Sequence, residues 1–207
     1  MASKTLILVP TEMERAGIES VLQSHGDDYS LELCGFGLVA AAIHTAQAIR
    51  DHQPPKVVLA GIAGAISDSI AVGTATSFNR VTVDGIGIGE GDAFRSATEM
   101  GWEDQAGASE YLLRTSKPTR ATLISVASAS TDAAMAERRF IRHSHANHGM
   151  IAEDMEGYAV AMACDQAGVP LTIVRGISNQ AGDRDRSNWQ IDSALQAAAE
   201  MARMELV

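Results

Sequence analysis

Aromatic and basic residues are scarce in this chain of 207 residues. Phe, Trp and Tyr make up 4% of it, and 16 Lys and Arg stand against 26 Asp and Glu, which leaves a formal charge of -10. A protein that binds nucleic acid needs a basic surface for the phosphate backbone, and this charge balance does not indicate one. We therefore expect no nucleic-acid partner.

Long apolar runs and cysteine motifs are also missing. The apolar run at residues 6–9 is much shorter than the hydrophobic region of a signal peptide, and no stretch approaches the roughly 20 apolar residues of a membrane helix. We expect a soluble, cytoplasmic protein with no membrane partner. Cys34 and Cys164 form no C-x-x-C pair, so they support neither a disulfide framework nor a zinc site by themselves, and buried thiols are predicted.

What the sequence does contain is an alternation of strand-like and helix-like segments. Short runs rich in Val, Ile and Leu predict strands at 5–9, 30–33, 57–60, 75–83, 121–126 and 170–177. Helix-length segments lie between them at 12–24, 38–52, 132–145, 153–167 and 187–204. The length and the 46% hydrophobic fraction fit one domain over residues 1–207. The alternation predicts an α/β fold with a sheet covered by helices on both faces.

Ligands bind such sheets where strands end, so a site is expected just after Val9, Ala60, Val126 and Ile177. Common nucleotide and hydrolase motifs do not explain these positions. Residues 35–40 (GFGLVA) fit a loose G-x-G-x-x-G/A pattern, but no carboxylate follows about 20 positions later to hold a ribose, so tight-turn glycines are favoured. No phosphate-binding G-x-x-x-x-G-K-[ST] loop occurs, and the GISNQ segment lacks the last glycine of a serine-hydrolase elbow.

Three histidines near residue 145 raise the question of a metal site. The spacing of His143, His145 and His148 does not put three imidazoles on one helix face, and histidine is favoured at a helix C-terminus by the helix dipole. We therefore expect no metal. Arg138 and Arg139 are predicted to lie on a solvated helix face. The stretch 84–107, with glycine at alternate positions from 85 to 91, predicts a mobile surface loop.

Carboxylates are the strongest candidates for chemistry. Glu12 and Glu14 follow the first predicted strand, and three acids open the predicted helix at 153–167, namely Glu153, Asp154 and Glu156. Acidic residues in a first helical turn also stabilise the helix dipole, so position alone leaves the structural and the functional interpretation open. Glu156 adjoins an apolar helix face, where partial desolvation suits a carboxylate to bind hydroxyl groups or a developing cation.

Five segments, in this order, carry a resemblance to a known family. They are residues 10–14 (PTEME), 35–42 (GFGLVAAA), 60–65 (AGIAGA) with 72–74 (VGT), 154–157 (DMEG) and 175–179 (RGISN). Together they resemble the nucleoside phosphorylase/hydrolase family, whose members cleave the N-glycosidic bond of purine nucleosides. The resemblance covers nearly the whole chain. It implies a three-layer α/β/α fold with a central mixed β-sheet, a small-molecule purine nucleoside as partner, no cofactor, and a homo-oligomer of two or more chains.

The resemblance also implies roles for individual residues. Glu14 corresponds to the glutamate that positions and activates the attacking water. Met155 packs under the ribose, and Glu156 accepts its hydroxyl groups as the anomeric carbon gains oxocarbenium character. Asn179 corresponds to the residue that reads the purine, where adenine-cleaving relatives have Asp. The other expected substrate-binding residues are Ile62, Ala63, Gly64, Ser178, Asp183 and Arg184, and Asp183 is also a candidate proton source.

Within this family, residues 177–185 and Trp189 are most similar to the futalosine hydrolases, which release hypoxanthine from futalosine on an alternative route to menaquinone. An amide at position 179 can donate to O6 of a 6-oxo purine and receive the proton at N7. The same amide facing adenine would leave one polar group unpaired. Futalosine also carries an aryl carboxylate, for which the candidate partners are Arg184, Arg186, Arg95 and Arg80.

Other functions stay open at the level of the sequence. A phosphorylase must hold an anion, whereas the loop at 61–64 offers no hydroxyl or cationic side chain and Glu14 would repel phosphate, so hydrolysis is favoured. A methylthioadenosine/S-adenosylhomocysteine nucleosidase or an aminodeoxyfutalosine nucleosidase would release adenine instead. A nucleoside-binding module without turnover is the alternative from another functional class.

Overall fold

The computed structural model describes residues 4–23, 28–102, 109–114, 120–143 and 149–206. Its strands are β1 (Thr5–Val9), β2 (Tyr29–Leu33), β3 (Val57–Ala65), β4 (Ala75–Phe78), β5 (Arg80–Asp84), β6 (Gly87–Ile88), β7 (Arg95–Ser96), β8 (Glu110–Leu112), β9 (Ala121–Val126), β10 (Met150–Asp154) and β11 (Leu171–Gln180). Its helices are α1 (Glu12–Leu22), α2 (Leu38–His52), α3 (Ala133–His143), α4 (Gly157–Ala167) and α5 (Ile191–Arg203). Short 3-10 helices lie at Gly91–Ala93 and Arg186–Asn188.

Most of the strands form one mixed sheet. Its order is β2-β1-β3-β10-β9-β5-β8, and β11 pairs with both β3 and β4. β1 runs parallel to β2 and β3, whereas β10 runs antiparallel to β3. β3 is central because its first half pairs with β1, its end pairs with β10, and its whole length pairs with β11. The C-terminal parts of β3, β10 and β11 therefore lie close together.

Helices cover both faces of this sheet. In β1, Leu6 and Leu8 belong to the core cluster that includes α2 and α4, whereas Ile7 and Val9 belong to the cluster that includes α1 and α5. A strand that is buried on both faces must be apolar at every position, which explains the unbroken run at residues 6–9. The predicted α/β fold with a mixed central sheet between helical layers is confirmed.

Several predicted bounds are wrong. β3 continues to Ala65 instead of ending at 60, because its glycine- and alanine-rich second half pairs with β10 and β11. The strand predicted at 75–83 is two strands, β4 and β5, which separate at Asn79. β10 was not predicted, and the helix predicted at 153–167 begins only at Gly157. Glu153 and Asp154 are strand residues, each 5% exposed, and apolar patterning does not predict buried acids.

The remaining predictions concern the surface and the cysteines. β6 and β7 form a small hairpin within the predicted loop at 84–107, of which residues 103–107 lie outside the described residues. In the described part of the chain, no helix is long and apolar enough to cross a membrane. Cys34 and Cys164 are free and buried, as predicted, and burial raises the pKa of each thiol to about 12.

Candidate active site

A cleft of about 330 Å³ opens where β1, β3, β10 and β11 end. This volume falls in the range of about 300–1,000 Å³ that is typical of small-ligand sites. The residues expected from the sequence that line it are Glu14, Ile62, Ala63, Gly64, Met155, Glu156, Ser178, Asn179 and Arg184. Four segments that are distant in sequence therefore meet at one cavity.

Glu14 is held in a fixed orientation at the start of α1. Thr11 caps this helix, and its hydroxyl donates to Oε2 of Glu14 at 2.7 Å. The backbone N–H of Ile62, at the end of β3, donates to Oε1 of Glu14 at 3.0 Å. The carboxylate is 3% exposed, so its remaining lone pairs are available only to a group inside the cleft.

Arg175 lies among the carboxylates of Glu14, Asp154 and Glu156, which form an acidic cluster, and no role was predicted for it from the sequence. This β11 residue is fully buried, and its Nη2 donates to Asp154 at 2.5 Å and to Glu156 at 3.2 Å. Although burial opposes the charge of the guanidinium, the carboxylates of Asp154, Glu156 and Glu14 raise the pKa of Arg175 above its ordinary value. An arginine inside an apolar strand needs buried acids as partners, and that was the signal available in the sequence.

Part of the Arg175 guanidinium has no partner. Within the described residues, neither Nε nor Nη1 of Arg175 makes a hydrogen bond. A methyl group added at Gly61 would lie less than 3.0 Å from both Nη1 of Arg175 and Oε1 of Glu14. Because residue 61 has no side chain, Nη1 of Arg175 and the carboxylate of Glu14 can both lie next to this position of β3.

Glu156 connects the acidic cluster to the glycine turn before α2. Its Oε1 accepts from the backbone N–H of Gly37 at 3.1 Å, and the opposite oxygen accepts from Arg175. Gly37 has a φ of 84°, which is left-handed backbone that favours glycine. Burial of the Glu156 carboxyl, which is only partly offset by the charge of Arg175, raises its pKa to about 7.

The side-chain amide of Asn179 has a defined orientation at the end of β11. Its Nδ2 donates to the carbonyl of Gln180 at 2.8 Å, and its Oδ1 accepts from the hydroxyl of Ser178 at 2.8 Å. A carbonyl oxygen only accepts, so the NH₂ group must be the one that faces Gln180. One N–H and one lone pair of the amide stay available to a ligand. Asn179 is 8% exposed.

Glu153 lines the cleft but is used for structure. Its carboxylate accepts from the backbone N–H and the hydroxyl of Ser130, each at 2.7 Å, and from Nη1 of Arg139 at 2.7 Å. Arg139 is 4% exposed, so the prediction of a solvated face is wrong at this position. The pattern of α3 did not reveal it because its partners lie on other elements.

Arg139 also belongs to a charged network around Asp84, a largely buried residue at the end of β5. Arg139 and Arg142 both donate to Asp84, and His143 Nε2 lies 3.1 Å from Oδ1 of Asp84. Burial opposes ionisation of Asp84, but the hydrogen bonds from His143 and Arg142 hold its pKa well below the ordinary value. His143 thus contacts a carboxylate, while residues 145 and 148 lie outside the described residues.

The structure also bears on the metal site and on Asp183, which were both considered from the sequence. Among the residues with a described placement, no group of three or more His, Cys, Asp or Glu is arranged to hold a metal ion. Asp183 does not line the cleft, because its carboxylate accepts from the backbone N–H of Asp185 and from Asn188 within its own loop. The side chain that was a candidate proton source is therefore engaged in shaping that loop.

Comparison with known proteins identifies the family. A futalosine hydrolase from Streptomyces coelicolor is 32% identical over 195 residues, which cover 90% of this chain and 81% of that protein. A 5'-methylthioadenosine/S-adenosylhomocysteine nucleosidase from Halalkalibacterium halodurans is 29% identical over 184 residues, covering 84% of this chain and 76% of that protein.

The fold comparison agrees with the sequence comparison. The crystal structure of a 5'-methylthioadenosine/S-adenosylhomocysteine nucleosidase from Colwellia psychrerythraea, in complex with adenine, has a TM-score of 0.79 at 21% identity and covers 100% of this chain and 95% of its own. The family model described as "Phosphorylase superfamily" matches residues 7–206. Because this match spans nearly the entire length, the chain belongs to the phosphorylase superfamily.

Proposed function

We propose that this chain is a purine nucleosidase that hydrolyses the N-glycosidic bond of futalosine and releases hypoxanthine. The observation that carries the proposal is the oriented amide of Asn179, which lines the same cleft as Glu14 and Glu156. Relatives described as futalosine hydrolases and as methylthioadenosine/S-adenosylhomocysteine nucleosidases support the reaction type. The amide of Asn179 supports hypoxanthine over adenine as the released base.

Water is the nucleophile that the cleft favours. Hydrogen bonds from Thr11 and Ile62 hold the Glu14 carboxylate in place. Its remaining lone pairs face the cavity, where they can accept a proton from water. The guanidinium of Arg175, across Gly61, is fully buried and adds a positive charge close to this carboxylate. Phosphate would meet the carboxylates of Glu14 and Glu156 at short range, which opposes phosphorolysis.

Glu156 and Met155 bind the ribose in this proposal. The Glu156 carboxylate is buried, so its attraction to a positively charged oxocarbenium-like ribose is not weakened by bulk water. Arg175 and the N–H of Gly37 hold the two oxygens, which keeps the carboxylate in place while the sugar hydroxyls bind. Met155 lies between Asp154 and Glu156 and offers an apolar surface in the same cleft.

The raised pKa of Glu156 predicts the pH dependence of the reaction. Below pH 7 the carboxyl is increasingly protonated and loses the charge that stabilises the sugar cation, so kcat/KM should fall about tenfold per pH unit as the pH drops. Above pH 7 the profile should level off. The measurement is kcat/KM from pH 5 to 9. The Glu156→Gln variant should have low activity at every pH and should not show the fall in kcat/KM below pH 7. A wild-type profile that is flat over this range contradicts the role given to Glu156.

Asn179 selects the base in this proposal. Its free N–H can donate to O6 and its free lone pair can accept the proton at N7 of the departing hypoxanthine. Chromatography of the free base should show hypoxanthine from futalosine and little adenine from methylthioadenosine. Adenine from methylthioadenosine with no hypoxanthine from futalosine would reverse the ranking in favour of the adenine-releasing nucleosidases, the second candidate supported by the relatives.

The Asn179→Asp variant tests the amide directly. A carboxylate oxygen would replace the NH₂ group that faces Gln180 and O6, leaving acceptor opposite acceptor at a cost of about 1–3 kcal/mol, or roughly 5- to 150-fold in kcat/KM for futalosine. Adenine nucleosides, which offer a donor at position 6, should lose less or gain. Asn179→Ser is the control, because it removes the amide without adding charge and should lower both activities. An unchanged ratio of the two activities in the Asp variant contradicts the proposal.

The homo-oligomer and the single domain implied at the level of the sequence stay predictions.

A further inference from the structure

Two arginines at the mouth of the cleft take no part in the proposed chemistry. Arg184 and Arg186 both line the cleft and both are exposed, whereas Glu14, Glu156 and Asn179 are 3%, 4% and 8% exposed. The cleft therefore has a buried end with the reactive groups and an open end with the cations. A ligand that reacts at the buried end reaches the arginines only through a substituent that extends toward solvent.

The loop that carries these arginines alternates Asp and Arg over residues 183–186, and its aspartates are used internally. Asp183 accepts from the backbone N–H of Asp185 and from Nδ2 of Asn188, each at 2.9 Å. Asp185 accepts from the backbone N–H and the hydroxyl of Ser187 at 3.0 and 2.7 Å. The carboxylates accept hydrogen bonds from inside the loop, which hold the turn and the following 3-10 helix in shape.

Neither arginine forms a salt bridge with any residue that the structure describes. Arg184 instead lies over the ring of Trp189, with its guanidinium carbon 5.2 Å from the ring centroid. The indole is itself anchored, because its Nε1 donates to the carbonyl of Asp183 at 3.1 Å. Stacking on an anchored ring orients the guanidinium and leaves its N–H donors free for an anion.

The other two arginines considered for this role lie elsewhere. Arg80 is paired with Glu110 on the neighbouring strand β8. Arg95 donates to the backbone carbonyls of Asp92 and Phe94 and borders a separate pocket next to α3. Neither lines the cleft. Position alone therefore selects Arg184 and Arg186.

We infer that Arg184 and Arg186 form a subsite for a carboxylate at the outer end of the nucleoside's 5′ substituent. The inference rests on the proposed function, because it takes the base and the ribose to occupy the buried end of the cleft. Paired N–H donors of a guanidinium match the two oxygens of a carboxylate. Trp189 and Phe36, the latter 63% exposed, offer apolar surface for a spacer between ribose and carboxylate. Among the described residues, Arg184 and Arg186 are the cationic side chains that line the cleft, so a carboxylate bound there would contact them directly.

The test compares substrates that differ only in this charge. The readout is kcat/KM for futalosine divided by kcat/KM for its uncharged methyl ester. The double variant Arg184→Ala/Arg186→Ala should lose roughly 10- to 100-fold in kcat/KM for futalosine, mainly through a higher KM, because two charge-assisted contacts are removed. Its activity on the ester and on inosine should fall much less, because neither of these offers a carboxylate, so the ratio of acid to ester should drop by about the same factor. The double lysine variant should recover part of the preference, since charge is kept but the paired geometry is lost.

Arg95→Ala is the matched control, because it removes the same charge from outside the cleft and should leave the ratio unchanged. An equal loss for the acid and the ester in the double variant would mean that the arginines only shape the loop, which overturns the inference and leaves the proposed function intact.

Failure of the proposed function gives a different result. If the wild-type protein releases adenine instead of hypoxanthine, the same ratio is measured with the 5′-(4-carboxyphenylthio) analogue of methylthioadenosine and the methyl ester of that analogue. If it cleaves no nucleoside, the ratio is taken from dissociation constants of that pair, measured by calorimetry. In either case a preference for the anion that disappears in the double alanine variant supports the subsite, and equal values for anion and neutral ligand overturn it.

Discussion

Replacing Glu14 by Gln is expected to lower kcat for nucleoside hydrolysis by about 10²- to 10⁴-fold while nucleoside binding is kept. The amide cannot take a proton from water, so the activated nucleophile is lost. The local structure should persist, because the Gln oxygen can still accept from the N–H of Ile62 and the hydroxyl of Thr11 can turn to accept from the new NH₂ group. Base release gives kcat, and calorimetry with the slow variant gives the dissociation constant.

Glu12→Gln is the matched control for this experiment. It makes the same change of charge two residues earlier on α1, at an exposed position that does not line the cleft. Its kcat should equal that of the wild-type protein. Full activity in the Glu14→Gln variant would exclude Glu14 as the base. If the wild-type protein binds nucleosides but does not cleave them, it is the binding module that the sequence leaves open.

Replacing Arg175 by Met is expected to have the largest effect on stability, a loss of about 3–5 kcal/mol in the free energy of unfolding. The substitution keeps an apolar stem but leaves Asp154 and Glu156 buried without their counter-charge. Urea denaturation measures the change as a lower midpoint at similar slope. Activity should fall as well, because Glu156 loses one of the two donors that hold it.

A second variant separates charge from packing. Adding Asp154→Asn to Arg175→Met removes one of the orphaned charges, so part of the stability should return. Arg203→Met is the control, since its ion pair with Glu200 is largely exposed and such pairs are worth about 0–1 kcal/mol. A single Arg175 variant as stable as the wild-type protein would show that the buried cluster does not need its cation.

The parts of the fold that could be predicted are those in which local pattern and tertiary role agree. The strands at 5–9 and 121–126 and the helix at 38–52 have the predicted bounds, because each is long, periodic or uniformly apolar over its whole length. The second half of β3 was missed because Gly and Ala carry no strand preference of their own. That segment is a strand because β10 and β11 supply hydrogen-bond partners on its two sides.

The errors in the site have a similar cause. Glu153 and Asp154 look like the first turn of a helix, and an acidic first turn is common. They are buried strand residues because Arg139 and Arg175, which arrive from α3 and β11, supply the charges that make their burial possible. A pattern read along one segment does not contain a partner that comes from another segment.

By itself the sequence determined the fold class, the family and the three side chains proposed for the chemistry, because periodic apolar runs and ordered motifs are properties of the chain that need no coordinates. Tertiary structure alone decided that Arg175 joins the carboxylates of Asp154 and Glu156 and that Arg139 is buried. It also decided that Arg184 and Arg186, not Arg80 or Arg95, line the cleft. The physical reason is that a charge is acceptable inside a protein only next to its partner. Those partners lie far apart along the chain and come together only when the strands pair.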